Sequence, residues 1–532
     1  MRLGALAALL IFSASQESKY RITDLGSDRK VDYLVVAAEA FVNDCDVLLA
    51  HREKRGLKVG LVAYSQTAKE PSADNLIAFL KTVREKWGVK FLLLVGDAVG
   101  PEKTFIPMKE GESKYYSEKY MSEKDIASDY EYSTTGGGDP VLHVGRFPAD
   151  TKDELAAMID KTIRYETKQT PGPWQRRISF ITGEAGFDPM IDRVIEAQFT
   201  KIVSENIPSG FDIEVAYAQT ASKYCPFPPK FNENAVRMLN EGALFYVYVG
   251  HGWREGCDRI TWREKDYDIL SVKNAAQIDI KNGLPVMVVI ACSTGYVDSK
   301  GGDCLGEILL KGKTGPVAFL GGSRVTQPYG NALLGKELVA AIFGGQCATI
   351  GEAIDESKKK ILAPDDSPFR KTADNMAGTV QGRDNLEGMR SDVVRHYNLL
   401  GDPAVVLQKP GGEIAIETLG IEAPGKTLSV KGKAPFAEGK AILTFECPRE
   451  KFARELEKLP KASADDFEEK IAKRYQQAND KAFVRLELDV KAGVFTGEIA
   501  IPEKIAAGSY TIKAFAWNGT AAAIGTKGIK ID

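Results

Sequence analysis

The two stretches ALFYVYVGHG (243–252) and PVMVVIACSTG (285–295) decide the fold. Each is an apolar run that stops abruptly at small residues, a pattern typical of strands buried on both faces of a parallel sheet. Ligands bind such sheets just beyond the carboxyl ends of the strands. The sequence therefore predicts an α/β fold in which His251 and Cys292 lie at one edge of the sheet.

A cysteine and a histidine at matched strand ends indicate nucleophilic catalysis. The thiolate attacks a carbonyl carbon, the imidazole exchanges protons, and backbone N–H groups hold the oxyanion. Gly252 and Cys292 are the predicted oxyanion donors, because glycine has no side chain in the way. Simpler interpretations stay open for each residue alone. His251 would be a strand-end histidine bonded to a loop, and Cys292 a small buried residue.

Composition limits the function classes. A chain of 532 residues is long enough for about three domains. Its formal net charge is 70 − 73 = −3, so no nucleic-acid partner is predicted. Seven cysteines are an odd number in a chain expected to be exported, which leaves at least one thiol without a partner in the chain. Their wide scatter predicts neither a disulfide framework nor a metal knuckle.

The first 15 residues predict a secretory signal peptide. Arg2 precedes the apolar run Leu3–Phe12, and small residues follow at Ser13-Ala14-Ser15. Ten apolar residues are too few to span a bilayer, and no later run reaches about 20. We therefore expect a secreted, periplasmic or extracellular protein with no integral membrane segment beyond the signal peptide.

Pro/Gly-rich stretches at 167–174 and 409–412 divide the rest of the chain. Strands and helices alternate on both sides of the first stretch, which predicts βαβ units. The charged segment 355–395 is expected to be partly surface loop. Period-two alternation after residue 412 predicts a small β-sandwich, with a helical hairpin inserted at 448–480. The predicted units are an N-terminal α/β subdomain at 30–166, a second at 175–408 and the β-sandwich at 412–532.

The order YVGHG and then IACSTG resembles the gingipain-type cysteine peptidases, family C25 of the caspase-like group. Further landmarks agree in order, namely FLLLVGD (91–97), VGRF (144–147) and LGDP (400–403). The resemblance implies a caspase-like catalytic region of two α/β subdomains, followed by an immunoglobulin-like (Ig-like) domain. It also implies that Cys292 and His251 form a catalytic dyad acting on a protein or peptide substrate.

The resemblance carries three more residues. Glu184 matches a family acid near the catalytic histidine, which orients His251 or stabilises its charged form. Asp192 matches an aspartate that pairs with a basic P1 side chain, although a carboxylate that starts a helix explains it equally well. Tyr329 matches an aromatic wall of the P1 pocket. The chemistry requires no cofactor or catalytic metal. Structural calcium is implied by the resemblance alone, at sites that the sequence does not locate.

The leading hypothesis is an exported cysteine endopeptidase that prefers basic P1 residues. The alternative is a catalytically inactive gingipain-like fold used for binding or surface display. A scaffold has no need for both Gly-His-Gly and Ala-Cys, which favours the enzyme. A serine hydrolase is disfavoured because the nearest candidate, Gly322-Ser323-Arg324, lacks the second glycine of a nucleophile elbow.

Overall fold

The computed structural model describes residues 17–184, 205–461 and 463–532. The predicted signal peptide at 1–15 lies outside the described residues. Within these ranges, no helix is both long enough and apolar enough to cross a membrane.

The catalytic region predicted from the sequence is built on one ten-stranded sheet. Its strand order is β2-β1-β3-β6-β16-β15-β14-β9-β7-β8. Most of these strands are short, apolar and buried on both faces. A parallel sheet of such strands needs helices over both faces, and the helices that connect the strands in sequence provide this cover. The strands up to the second Pro/Gly stretch are β1 (Tyr33–Ala37), β2 (Val59–Ala63), β3 (Phe91–Val95), β4 (Lys109–Glu112), β5 (Asp125–Ser128), β6 (His143–Phe147), β7 (Arg177–Thr182), β8 (Asp212–Tyr217), β9 (Phe245–Val249), β10 (Gly252–Trp253), β11 (Gly256–Cys257), β12 (Arg259–Trp262), β13 (Lys265–Asp268), β14 (Val286–Ile290), β15 (Ala318–Gly322) and β16 (Tyr397–Leu400).

The two halves of this sheet run in opposite directions. β16 is antiparallel to β15, whereas its single register pair with β6, Leu400 with Arg146, is parallel. All other pairings in the sheet are parallel. The predicted mixed α/β fold is confirmed. The boundary between the predicted subdomains corresponds to no break in the sheet. β16, from the second predicted subdomain, pairs with β6 of the first and with β15 of the second.

The helices of this region pack onto the sheet. Four of the described helices begin at side-chain caps; Ser72, for example, accepts from Asn75 N–H at 3.2 Å and Thr151 accepts from Glu154 N–H at 3.3 Å. The described helices are α1 (Asp46–Lys54), α2 (Ala73–Trp87), α3 (Tyr130–Thr134), α4 (Lys152–Thr167), α5 (Phe231–Asn240), α6 (Leu305–Lys311), α7 (Pro328–Phe343), α8 (Ile350–Leu362), α9 (Pro368–Gln381) and α10 (Leu386–His396).

The segment 355–395, expected to be partly surface loop, is mostly helical, and its exposed loop is limited mainly to residues 363–367. The apolar residues Ile350, Ile354 and Ile361 recur at helical spacing on α8 and are buried. Two of the charged residues between them are also buried: Asp355 bonds His143, and the Lys358 ammonium donates to the carbonyl oxygen of Tyr397.

Buried ion pairs lie in the core of this region. The Arg146 guanidinium makes two bonds to the Asp129 carboxylate, at 2.7 and 2.8 Å, and donates to the carbonyl oxygens of Gly96 and Ile106. Asp402, beside the last strand of the sheet, accepts from Arg52 Nη2 at 2.8 Å and from the Tyr33 hydroxyl at 2.8 Å. Two of the sequence landmarks, VGRF and LGDP, therefore supply charges to the core.

Beyond residue 411 the chain forms two further sheets with a separate apolar core. Their strand orders are β17-β24-β23-β20-β21 and β18-β19-β22. The elements are β17 (Gly412–Glu413), β18 (Ala415–Leu419), β19 (Thr427–Lys433), β20 (Gly439–Glu446), α11 (Phe467–Asn479), β21 (Ala482–Val490), β22 (Val494–Ala500), β23 (Gly508–Trp517) and β24 (Ala522–Ile531).

The predicted helical hairpin at 448–480 is wrong in its first half. Only α11 forms in the described part of this segment, and it begins at Phe467, after Asp466. Near the start of the segment, Arg449 is bonded to the catalytic region. The Arg449 guanidinium donates to the carbonyl oxygens of Pro208 and Phe211, at 2.7 and 3.1 Å. These long-range contacts outweigh the local helical spacing of the apolar residues.

A buried lysine lies between α4 and α6. Lys161 is fully buried, and its ammonium donates to the carbonyl oxygen of Leu310. No carboxylate in the described part of the chain forms an ion pair with it. Burial, with a smaller contribution from Arg164, lowers the pKa of Lys161 from 10.5 to about 7. The charged lysine therefore costs stability at neutral and acidic pH.

Replacing this lysine by an apolar residue of similar length should stabilise the protein in a pH-dependent way. Well below pH 7, Lys161 is protonated in both the folded and the unfolded state of the wild type, so the penalty is fully present. At pH 7 only part of the folded population has lost this proton, so the penalty is still largely present. Between pH 7 and 10.5 the unfolded state binds more protons than the folded state, so wild-type stability rises with pH. Lys161→Met should raise the free energy of unfolding by ~2–4 kcal/mol at pH 7, and the gain should shrink towards pH 10.5.

Urea unfolding at several pH values measures this gain. Lys81→Met, at an exposed position on α2, is the control and should change stability by less than about 0.5 kcal/mol. A gain that does not vary with pH, or a loss of stability at pH 7, would contradict the account.

Candidate active site

Three predicted site residues lie in one row at the carboxyl edge of the sheet. The register pairs Thr182 of β7 with Val249 of β9, and Val249 with Ile290 of β14. Glu184, His251 and Cys292 each lie two positions beyond these residues. Because neighbouring strands are about 4.8 Å apart, the three residues emerge side by side.

The row also coincides with a reversal of strand order. The chain places β8 on one side of β7 and then β9 on the other. Crevices at such switch points are where open α/β sheets bind ligands. His251, Cys292 and Thr326 line one common cavity there, together with residues of α7 and α9.

Gly252 lets the histidine loop approach the cysteine turn. A Cβ atom at this position would lie 2.9 Å from both the Ala291 Cβ and the Cys292 carbonyl oxygen. No side chain fits in that space without movement of one loop. The backbones of the two predicted oxyanion donors, Gly252 and Cys292, are therefore in direct contact.

The backbone of His251 is held by two hydrogen bonds while its side chain is exposed. Its carbonyl oxygen accepts from the Tyr248 hydroxyl at 2.7 Å and from Asp258 N–H at 3.1 Å. Tyr248 lies on β9 and is buried, so the strand itself fixes the loop that carries the histidine. This leaves the imidazole at the rim of the cavity.

Cys292 differs from the other cysteines in exposure. It is partly exposed at the end of β14, and all seven cysteines are unbridged. The other six are buried, and burial raises the pKa of each of their thiols (Cys45, Cys225, Cys257, Cys304, Cys347 and Cys447). Cys292 is the thiol that the fold presents to a ligand.

A tight turn follows the cysteine. Ser293 adopts a φ of 55°, which few residues other than glycine tolerate, and its N–H donates to the carbonyl oxygen of Arg324 at 3.0 Å. Thr326 N–H donates to the Cys292 Sγ at 3.3 Å. Sequence reasoning missed Thr326, because it follows β15 and carries no motif. Its place just before the helix-starting Pro328 was the only signal.

Glu184 is exposed and lies at the open end of the row. Its Oε1 accepts from Gln219 Nε2 at 3.4 Å. Gln219 lies two residues beyond Tyr217 of β8, which pairs with Thr182. The row of residues therefore continues across four strands, and a glutamine holds the carboxylate beside the histidine loop.

Of the two predicted specificity residues, Asp192 and Tyr329, the structure describes only Tyr329. Asp192 lies outside the described residues. Tyr329 lies in the first turn of α7 and lines the same cavity as Cys292. Its hydroxyl donates to Asp374 at 2.6 Å and accepts from Arg390 at 2.8 Å. These bonds fix the ring, so it can form a rigid wall but has no free hydroxyl.

The donor set suits acyl transfer. Within the ranges described, no cluster of three or more His, Cys, Asp or Glu residues is arranged to hold a metal ion. A thiol, an imidazole and closely approaching backbone amides at one rim are the groups that attack a carbonyl and hold its oxyanion. The calcium suggested by resemblance stays a prediction without a site.

Comparison with known proteins gives a family match. A model of peptidase family C25 matches residues 26–408. Gingipain R1 of Porphyromonas gingivalis is 24% identical over 329 residues, which is 60% of this chain and 30% of that protein. Gingipain R2 of the same organism is 25% identical over 316 residues, 57% of this chain and 38% of that protein. The chain thus spans well under half of the length of each of these relatives.

Solved structures agree at the level of the fold. The crystal structure of the Arg-specific cysteine proteinase gingipain R aligns with a TM-score of 0.52 and 18% identity, covering 96% of this chain and 99% of that one. A complex of the pro- and mature domains of RgpB from Porphyromonas gingivalis aligns with a TM-score of 0.51, covering 95% and 100%. At this identity the likeness concerns the fold alone.

Gly252→Ala tests the close approach of the two loops. The added methyl group meets Ala291 and the Cys292 carbonyl, so one loop must move, at a cost of about 1–3 kcal/mol in unfolding free energy. Urea unfolding measures the loss. Gly528→Ala is the matched control, because a Cβ there meets nothing within 4 Å. Equal stability of both variants would show that the loops are further apart than described.

Proposed function

The chain belongs to peptidase family C25, and on that premise we propose that it is a cysteine endopeptidase in which Cys292 and His251 form the catalytic dyad. The observation that carries the proposal is the shared register of the two strand ends, which places a partly exposed thiol and an exposed imidazole at one rim. A protein or peptide is the substrate.

The proposed reaction has two stages. His251 takes the thiol proton of Cys292, and the sulfur attacks the scissile carbonyl carbon. The backbone N–H groups of Gly252 and Cys292 hold the resulting oxyanion. As the C–N bond breaks, the imidazolium gives its proton to the leaving amine, which leaves a thioester on Cys292. Water then attacks the thioester with His251 as base, which releases the acid and restores the thiol.

Glu184 is proposed as a positioning residue for the histidine. Its place in the row, one strand beyond His251, supports this role, as does its contact with Gln219. A carboxylate near an imidazole favours the charged form that appears during proton transfer. We assign it no direct contact with the substrate.

A preference for arginine or lysine at P1 is the proposed specificity. The similar proteins are named gingipain R1 and gingipain R2, and a solved relative is described as Arg-specific. Asp192 would pair with the basic side chain and Tyr329 would form a wall of the pocket. The rigid anchoring of the Tyr329 hydroxyl supports a wall that keeps its shape on binding.

The remaining proposals concern the rest of the chain. Residues 30–408 are proposed to have a caspase-like fold. The sheet contains six strands from β7 onward, and of these only β16 is antiparallel to a neighbour, β15. The two sheets after residue 411 are proposed to be an Ig-like sandwich. Export is proposed from the pattern of residues 1–15.

Loss of either dyad residue should abolish peptide hydrolysis. Cys292→Ala removes the nucleophile and His251→Ala removes the base, so kcat/KM should fall by about 1,000-fold or more in each. Fluorogenic peptides measure the rates. Cys347→Ala is the matched control, because this buried thiol lies outside the row and its loss should leave hydrolysis unchanged. Hydrolysis that survives Cys292→Ala would disprove the proposed nucleophile.

A peptide series with Arg, Lys, Asp or Ala at P1 tests the specificity. Arg and Lys should be cleaved with kcat/KM about 100-fold above Asp and Ala, because an unpaired charge in the pocket is costly. Asp192→Asn should remove most of this preference while hydrolysis of the Ala peptide persists. Equal turnover of all four peptides would eliminate the basic pocket but leave the dyad standing.

A further inference from the structure

A chain of hydrogen bonds runs from the interior to the sulfur of Cys292. Tyr397, fully buried on β16, donates its hydroxyl proton to Asn331 Oδ1 at 2.8 Å. Asn331 Nδ2, on α7, donates to Thr326 Oγ1 at 2.9 Å. Thr326 Oγ1 lies 3.7 Å from Cys292 Sγ, within the range of a hydrogen bond to sulfur. Three elements of the fold therefore converge on one thiol.

The chain of bonds sets which group Thr326 Oγ1 accepts from. The Tyr397 hydroxyl orients the Asn331 amide so that its NH₂ group faces Thr326. Thr326 Oγ1 therefore accepts from Asn331, and its own hydroxyl proton can be donated to Cys292 Sγ when the sulfur is a thiolate, which has no proton to donate. An acceptor-only group in place of Asn331 would turn this proton away from the sulfur.

Two donors from one residue then meet the sulfur. Thr326 N–H donates to Cys292 Sγ at 3.3 Å, and in the thiolate form the hydroxyl, whose Oγ1 lies 3.7 Å from Sγ, is the donor of a second bond. Thr326 also lies two residues before the first residue of α7, whose N-terminal end carries partial positive charge. Both contacts favour the negatively charged form of the sulfur over the neutral form.

We propose that Thr326 is a positioning residue that orients and stabilises the Cys292 thiolate, with its hydroxyl aimed by Asn331 and Tyr397. The inference rests on the proposed nucleophile. The hydroxyl supplies no proton to the substrate. It holds the sulfur in place and donates a hydrogen bond to the thiolate before the thiolate attacks a carbonyl carbon.

Three variants test the hydroxyl. Thr326→Val keeps the shape and the backbone N–H but removes the hydroxyl. Thr326→Ser restores the hydroxyl. Asn331→Asp keeps the shape and reverses the direction of the chain, because a carboxylate accepts from the Thr326 hydroxyl. Thermal unfolding of each variant identifies those that remain folded.

Alkylation of Cys292 by iodoacetamide at pH 7, located by mass spectrometry, is the first measurement, because it requires no peptidase activity. Thr326→Val and Asn331→Asp should each slow alkylation by about 10-fold or more, since hydrogen bonds to charged groups are the stronger kind. Thr326→Ser should stay within about 3-fold of the wild type. Peptide hydrolysis should follow the same order in kcat, with KM changed less than about 2-fold.

The outcomes separate the two proposals. Wild-type alkylation rates in both Thr326→Val and Asn331→Asp, or no rescue by Thr326→Ser, would overturn the positioning role. The expected alkylation pattern in a protein that cleaves no peptide would support the positioning role and overturn the proposed function instead.

Discussion

The site depends on parallel strands that end in register. Because β7, β9 and β14 stop at paired residues, the second residue beyond each strand falls into one row. Glu184 and His251 are 67 positions apart in the chain (251 − 184), and His251 and Cys292 are 41 apart (292 − 251). The shared register brings all three into this row. Gly252 completes the arrangement, since only a residue without a side chain lets the second loop touch the third.

Buried charges lie around β6 and β16, at the middle of the same sheet. Arg146 bonds Asp129 and two backbone carbonyls, and Asp402 bonds Arg52 and Tyr33. A buried pair is costly to break, because the remaining partner is left charged and unpaired, at about 3–5 kcal/mol. The short landmarks VGRF and LGDP therefore supply charges to the polar core. Of these charges, only Asp402 of LGDP joins the two predicted subdomains, through its bonds to Arg52 and Tyr33.

Much of the fold could be predicted from the sequence, since buried parallel strands are apolar runs with clear ends. β9 and β14 both lie within the two apolar runs that predicted buried strands, 243–252 and 285–295. The errors arose where long-range contacts override local pattern. The helices at 350–396 carry many charges, so their sequence resembled a loop. The apolar residues of 448–461 have helical spacing, but Arg449 bonds the carbonyl oxygen of Pro208 and no α-helix forms there. Thr326 was missed because its contact with Cys292 joins two strand ends that no motif connects.

The most direct test of the central claim is covalent trapping with a peptidyl acyloxymethyl ketone that carries lysine at P1. Such a reagent reacts with a nucleophilic thiol whose imidazole partner is in reach. The account predicts one adduct, mapped by mass spectrometry to Cys292, and its loss over the same time in His251→Ala. An adduct on another residue, or labelling of Cys292 that His251→Ala leaves unchanged, would contradict it.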